Sequence, residues 1–320
     1  MDVVAMGELL IDFTCVSADS AGYPTMEAHP GGAPANYLAA LASFGAETAL
    51  IGKVGADAFG DLLVKTLEEA GISDRGVVMD RSVFTTLAFV TLDEKGDRAF
   101  SFARKPGADT ALSWEEVDRK LIEDCRVFHF GTLSLTDEPA KTATVQAVEY
   151  AKQRGKLISF DPNMRKPLWD CLADAARAME WGLKQADVVK ISDEEVEFLF
   201  HMTPEAGGQH ILSEFGPKLI FVTCGEEGCY YCSKNGTGWV PALAGVKPVD
   251  TTGAGDMFGG SAMWKLLQLG KTPENLTQED VDAITRFATA AAGLSTQKPG
   301  GISSVPTLAE VERAIDCAGF

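Results

Sequence analysis

The sequence predicts an α/β fold, with a mainly parallel sheet covered by helices on both faces and a small extra β-sheet beside it. Three observations carry this. From residue 113 onward, short apolar strands such as Val127-Phe-His-Phe130, Leu157-Ile-Ser-Phe160, Val188-Val-Lys-Ile191 and Leu219–Thr223 alternate with helix-length segments, the rhythm of a parallel sheet. Polar residues gather where those strands end, the edge at which open α/β sheets bind ligands. One region breaks the rhythm: residues 86–92 and 98–102 are β-prone runs around Asp93-Glu-Lys-Gly-Asp97, a hairpin signature. An antiparallel hairpin inside a βα chain predicts a separate small sheet, a lid built from parts of 12–32 and 84–106.

In order, Val3-Val-Ala-Met6 is a strand ending at Gly7, followed by Glu8 and Leu9-Leu-Ile-Asp12. Asp12 lies just past a strand end and reads either as a hydroxyl binder or as a turn aspartate. Residues 13–30, with Gly22, Pro24 and Pro30, read as irregular. Gly31 and Gly32 precede an alanine-rich helix with Pro34 in its first turn, where proline is tolerated, and Gly45 at its end. Asn36, in that first turn, can reach a ligand lying across the helix start. Ala49–Ile51 is a strand, and Asp57 caps a helix over 58–70 that stops at Gly71. Arg104, after the hairpin, is either a solvated loop charge or a residue pointing into the cleft below the lid.

Ser113-Trp-Glu-Glu116 is a capping box, and residues 137–154 read as a helix ending at Gly155. Asn163, Arg165, Lys190, Glu195 and Thr223 fall at strand C-termini. His129 is flanked by apolar residues and reads as a core histidine. Residues 287–296 form a small-residue helix, the loop 297–304 is rich in turn residues, and Thr307-Leu-Ala-Glu310 caps a last helix.

Composition narrows the function. The 320 residues are 46% hydrophobic and 23% charged, as in a soluble globular protein, and suit one large α/β domain over 1–320. A net charge of −18 argues against nucleic acid or an anionic membrane as partner, since both need a basic footprint. It also means that a phosphate substrate needs local positive charge or a metal. The N-terminus shows no basic region leading into an apolar run, and no stretch approaches ~20 uninterrupted apolar residues, so a cytoplasmic protein without a membrane span is expected. Seven scattered cysteines suit free thiols in a reducing compartment. Cys224, Cys229 and Cys232 have the spacing of an iron–sulfur ligand set, but a strand places Cys229 and Cys232 on opposite sides.

The stretch with most chemistry is Asp250-Thr-Thr-Gly-Ala-Gly-Asp256, running into a helix that ends near Gly270. Gly253 and Gly255 let the backbone approach a ligand closely. A helix start leaves N–H groups unpaired, and the macrodipole adds positive potential, so Ala254 and Gly255 can hold a phosphoryl group. A carboxylate at such a site repels an anion unless it is there to take a proton, which makes Asp256 a candidate general base; the other reading is a helix cap. The phosphate loop G-x-x-x-x-G-K-[ST] is absent.

Gly31-Gly-x-x-x-Asn36 and Asp250–Asp256 together resemble the paired signatures of the PfkB (ribokinase-like) carbohydrate kinases, and the likeness extends in order over nearly the whole chain. Residues 7–12, 102–109, 161–165, 190–195 and 222–228 resemble the fructokinase branch. The resemblance implies a ribokinase-like three-layer α/β/α sandwich with a β-sheet lid, and transfer of the γ-phosphate of ATP to a sugar hydroxyl, fructose above all. Other acceptors in the family's range are 2-keto-3-deoxygluconate, ribose and nucleosides, and a non-catalytic sugar and nucleotide-binding regulator is a reading from another class.

By the same resemblance, Asp256 matches the catalytic base, and Gly253, Ala254 and Gly255 the anion hole. Asp12, Gly31, Gly32, Asn36, Arg104 and Arg165 fall on sugar-holding positions, and Asn163, Lys190, Thr223, Gly225, Gly228, Gly253 and Gly255 on the nucleotide side. Glu195 matches the Glu of the family's Asn-x-x-Glu motif, which serves the Mg2+–phosphate network indirectly; Ser192 stands in place of the Asn. K+ is implied near the anion hole, with Asp250, Thr252 and the loop after Ser295 as candidate oxygen donors. Met257 departs from the Ser or Ala common after the base. An apolar lid face including Phe89, Phe100 or Phe102 suggests a homodimer through the lid.

Overall fold

In the computed structural model, residues 1–92 and 98–318 are described. The strands are β1 (Val3–Met6), β2 (Leu10–Ala18), β3 (Pro24–Gly31), β4 (Thr48–Gly55), β5 (Ile72–Asp80), β6 (Leu87–Leu92), β7 (Arg98–Ala103), β8 (Val127–Phe130), β9 (Leu157–Phe160), β10 (Val188–Ser192), β11 (Leu219–Thr223), β12 (Cys229–Ser233) and β13 (Gly236–Val240). The helices are α1 (Ala33–Ser43), α2 (Ala58–Glu69), α3 (Arg119–Asp124), α4 (Ala140–Gln153), α5 (Leu172–Gln185), α6 (Asp193–Phe200), α7 (Pro204–Glu214), α8 (Ala254–Leu269), α9 (Gln278–Ser295) and α10 (Leu308–Ala318).

Nine strands form one sheet in the order β13-β12-β11-β10-β9-β8-β1-β4-β5, parallel from β11 to β5 and antiparallel across β11, β12 and β13. Side-chain alternation sorts its residues onto two faces. In β1, Val3 and Ala5 join a core with Tyr37 of α1, Met263 of α8 and Phe287 of α9. Val4 and Met6 join a second core with Phe128, Phe160, Ala147 of α4 and Ile211 of α7. The predicted three-layer α/β/α arrangement follows from those two cores. Cys229 and Cys232 lie in different cores, on opposite faces of the sheet, as the alternation requires. His129 is buried, stacked on Tyr37 at 3.7 Å, and burial pushes its pKa down to about 3, so it stays a neutral core residue.

The small sheet has the order β3-β2-β6-β7. The predicted hairpin is its β6–β7 pair, whose turn at Asp93–Asp97 lies outside the described residues. The sheet is mixed, since β2 and β6 run parallel. Residues 13–30, expected to be irregular, are mostly the antiparallel pair β2–β3. Pro30 sits on an edge strand, where a missing N–H costs nothing to the ladder. Two of the apolar residues offered for a dimer interface, Phe89 and Phe102, have partners within the chain. Phe13 stacks on Phe89 at 5.4 Å and meets Phe59 of α2 at 5.6 Å. Phe102 lines a cavity on the other face. The Phe100 side chain lies outside the described residues.

Close packing of α1 on α8 sets the site. Gly260 is required there: a Cβ would come within 2.2 Å of the Tyr37 carbonyl. Helix α9 begins nine residues before the predicted 287, at a capping box of Thr277 and Asp280. Met257 is 1% exposed and belongs to the core, so the residue after Asp256 packs inward here.

Candidate active site

Gly253 takes the left-handed conformation at φ 75° and starts α8, as helix caps of other residue types would do only with strain. The next residues leave helical N–H groups without an i−4 partner; Ala254 N makes only a long 3.3 Å bond to Thr251 O. Asp256 sits in that first turn, 7% exposed. Both its oxygens are held by amides: Oδ2 accepts from Asn36 Nδ2 at 2.9 Å and Oδ1 from Asn163 Nδ2 at 3.1 Å. Burial raises its proton affinity, opposed by the Asn36 bond and by Lys190 and Arg165.

Two cavities meet at this helix start. The smaller, about 180 Å³, is bounded by the small sheet, α1 and the 250–253 loop; Asp12, Gly32, Asn36, Asn163, Arg165 and Asp256 are among its walls. The larger, about 640 Å³, lies on the other side of α8, where Thr223, Gly225, Gly228, Ala254 and Gly255 combine with apolar Leu243, Val246, Phe258 and Ala292. Thr251 borders both. Gly225 and Gly228 have φ of 53° and 108°, and a Cβ on Gly228 would strike the Val240 carbonyl at 2.1 Å.

Lys190, on β10, is 11% exposed at its side chain and ion-paired with Asp161 at 3.2 Å. Its Nζ lies 2.7 Å from where a Cβ on Gly255 would stand, so glycine leaves room for an ammonium under the helix start. Desolvation opposes its charge, but Asp161, Glu195 and Asp256 outweigh it and raise its pKa. Asp161 is pushed up to about 7 by burial against the pull of Lys190. Lys190 is thus the cation of the pair, held charged by the surrounding carboxylates.

The expected residues do not all converge. Asn163, expected on the nucleotide side, instead lines the smaller cavity and bonds Asp256. Gly253 lines the smaller cavity and Gly255 the larger. Gly31 stays behind the wall, where a Cβ would meet Asp12 Oδ2 at 2.3 Å. Arg104 does not line the cavity. It is 4% exposed and pairs with buried Asp109 through Nε at 2.8 Å and Nη2 at 2.7 Å. It also donates to Thr136 Oγ1 and Leu133 O. Glu195 lines neither cavity: Oε1 accepts from Met164 N at 2.8 Å and Oε2 from Ser192 N at 2.9 Å. Asp250 ties two loops, accepting from Thr252 N and Oγ1 through Oδ1 and from Gly300 N through Oδ2.

Sequence reasoning passed over Glu8, His29, Gly301 and Phe102, all on the smaller cavity. Glu8 carried a signal, a carboxylate two residues past the β1 end. It accepts from Ala33 N at 2.9 Å, and burial pushes its pKa to about 7.

This geometry has counterparts among known proteins. The model of the pfkB family carbohydrate kinases matches residues 1–308. The chain is 41% identical to Fructokinase-1 of Zea mays over 322 residues, covering 99% of this chain and 98% of that protein. A fructokinase from Xylella fastidiosa with bound ATP superimposes with a TM-score of 0.91 at 30% identity, covering 100% of this chain and 99% of that one. A fructokinase double mutant from Vibrio cholerae, in a form with bound fructose, ADP and potassium ion, gives 0.85 at 30% identity, covering 98% of both chains. With the α/β/α sandwich, the small sheet and the glycine-led helix start in place, the chain belongs to the pfkB family of carbohydrate kinases.

Proposed function

We propose that the protein is an ATP-dependent fructokinase that transfers the γ-phosphoryl group of ATP to the 6-hydroxyl of fructose, with Asp256 as general base. The observation that carries this is the position of Asp256: a buried carboxylate in the first turn of α8, where a monosaccharide-sized cavity meets a larger, partly apolar one. The smaller cavity, about 180 Å³, is well below the ~300–1,000 Å³ of pockets for drug-sized ligands, which favours a sugar over a nucleoside there.

Charge favours a neutral acceptor. The smaller cavity is walled by the carboxylates of Glu8, Asp12, Asp250 and Asp256 against Arg165 and His29. The positive charge of Arg165 is already shared with Asp12 and Asp256. An acid such as 2-keto-3-deoxygluconate would add a further negative charge. A panel of fructose, glucose, ribose, 2-keto-3-deoxygluconate and adenosine tests this. Fructose is expected to have the highest kcat/KM, by roughly tenfold or more; another acceptor far above it would overturn fructose as the substrate.

The residues divide the reaction as follows. Asp12, Gly32 and Arg165 hold the sugar. Asp256 takes the proton of the attacking hydroxyl as its oxygen bonds to the γ-phosphorus, and the bond to the β–γ bridging oxygen breaks to release ADP. The N–H groups at the start of α8 and the ammonium of Lys190 hold the phosphoryl oxygens. Thr223, Gly225 and Gly228 border the nucleotide, and the small sheet acts as a lid that excludes water, the competing nucleophile. Magnesium, arriving with ATP, supplies neutralisation of the phosphate charge. Both Glu195 oxygens already accept backbone N–H groups, so neither is turned to that network. A potassium ion sharing Asp250 would reinforce the tether between the 250–252 and 300–301 loops. Unpaired thiols at all seven cysteines suit a cytoplasmic setting, and no helix among the described residues is long and apolar enough to cross a membrane.

Asp12 gives a pH prediction. Burial pushes its pKa up to about 6, above the usual carboxylate range, with Arg165 pulling the other way. The ionised form accepts sugar hydroxyls best, so KM for fructose should rise as pH falls through about 6, and Asp12→Asn should have a high KM without that limb. Stability runs in the opposite sense. A folded-state pKa above the unfolded value means that the folded protein binds the proton more tightly, so stability is lost as pH rises from about 4 to about 6. Asp12→Asn should therefore raise the apo melting temperature at pH 8. A flat KM profile between pH 5 and 8 would contradict this role.

A further inference from the structure

The loop after β9 is pinned on both sides of Asn163. Before it, Pro162 O accepts from Thr132 N at 3.1 Å and Thr132 Oγ1 at 2.6 Å. After it, Met164 N donates to Glu195 Oε1 at 2.8 Å. Between these anchors Asn163 stands at φ 44°, a left-handed conformation that residues other than glycine avoid and asparagine tolerates best. Such a conformation persists where the surroundings over-determine it. From there the Asn163 amide reaches Asp256 Oδ1, while Asn36 holds Oδ2. With an amide on each oxygen, the carboxylate plane is fixed toward the sugar cavity.

Glu195 is itself rigid. It forms a capping box at the start of α6, with Ser192 N donating to Oε2 and Glu195 N donating to Ser192 Oγ at 3.2 Å. The capping-box carboxylates of Glu116 and Asp280 turn to a lysine as their further partner. Glu195 instead turns its second oxygen to the backbone of a loop carrying a site residue. We infer that Glu195 is a positioning residue for the base: by holding Met164 N it fixes Asn163 in the turn from which its amide orients Asp256. This deepens the fructokinase reading and rests on Asp256 being the base.

A double-mutant cycle on the full-length protein tests it, with ATP, magnesium and fructose. Asn163→Gly keeps the backbone conformation and removes the amide; it should lower kcat by roughly 10–100-fold. Glu195→Gln should lower kcat in the same way, with KM for ATP and the magnesium activation constant within about twofold. The double variant should be no more than about threefold worse than Asn163→Gly alone. Glu194→Gln removes a neighbouring exposed charge and should leave kcat unchanged. If Glu195→Gln does not fold, Thr132→Val removes the hydroxyl anchor on Pro162 and should likewise lower kcat non-additively with Asn163→Gly. Multiplying effects, or a Glu195→Gln defect repaired by raising magnesium, would overturn the inference. Asp256→Asn in parallel separates the two levels: normal turnover there sinks the base itself, whereas its loss together with a multiplicative cycle sinks only the relay.

Discussion

Asp256→Asn is expected to lower kcat by at least roughly 10²–10⁴-fold while leaving fructose affinity within several-fold of the parent. Asn keeps the shape of Asp but cannot take the proton of the attacking hydroxyl. The other proposed sugar contacts, from Asp12, Gly32 and Arg165 on the cavity wall, come from other elements and should survive the change. Stability should not fall much. The new amide would face the Asn36 or Asn163 amide donor to donor, which costs about 1–3 kcal/mol. Against this, the raised pKa of Asp256 means that its ionised form is itself a desolvated burden on the fold, and the substitution removes it. Coupled ADP assays give kcat, calorimetry gives fructose binding, and thermal melting gives stability. A variant with near-normal turnover would remove Asp256 from the base role.

Arg104→Ala is expected to cost about 3–5 kcal/mol of stability, the usual price of stranding one member of a buried ion pair. Asp109 would be left at 6% exposure with its Thr86 hydroxyl contact and no cation. The same guanidinium hydrogen-bonds the residue just after β7 to the 133–136 segment, so the small sheet would lose a direct tie to the main body. Thermal unfolding should begin roughly 5–15 °C lower. Well below that temperature KM for fructose should change by only a few-fold, because Arg104 stands outside the cavity wall. A variant that melts normally but loses fructose binding would return Arg104 to the sugar-holding role that the resemblance implied.

Arg104 shows where sequence reading fails. Its position beside the lid is legible, but the carboxylate that consumes it becomes visible only when Gly107 lets the chain fold back on itself: a Cβ there would meet the Thr86 hydroxyl at 2.1 Å. The α8 start was legible because its requirements are local. Positive φ asks for Gly253, and the N–H groups and dipole follow from the helix. The parallel strands were legible because both faces are buried, so β8 and β9 are short, mainly apolar runs, each with a single polar residue, His129 or Ser159. Strands β2 and β3 were not, since their outer halves are exposed and β3 carries two prolines, as a loop would. Asn163 and Glu195 were found as residues, but their link is not sequence-readable. It depends on one main-chain N–H crossing from the end of β9 to the start of α6.

The central claim is that one carboxylate joins the two cavities in a phosphoryl transfer to fructose. Purified protein with ATP and magnesium, with and without fructose, tests it most directly. ADP should form only when fructose is present, mole for mole with fructose 6-phosphate, and Asp256→Asn should form neither. Formation of ADP without fructose, or no ADP in its presence, would contradict the account.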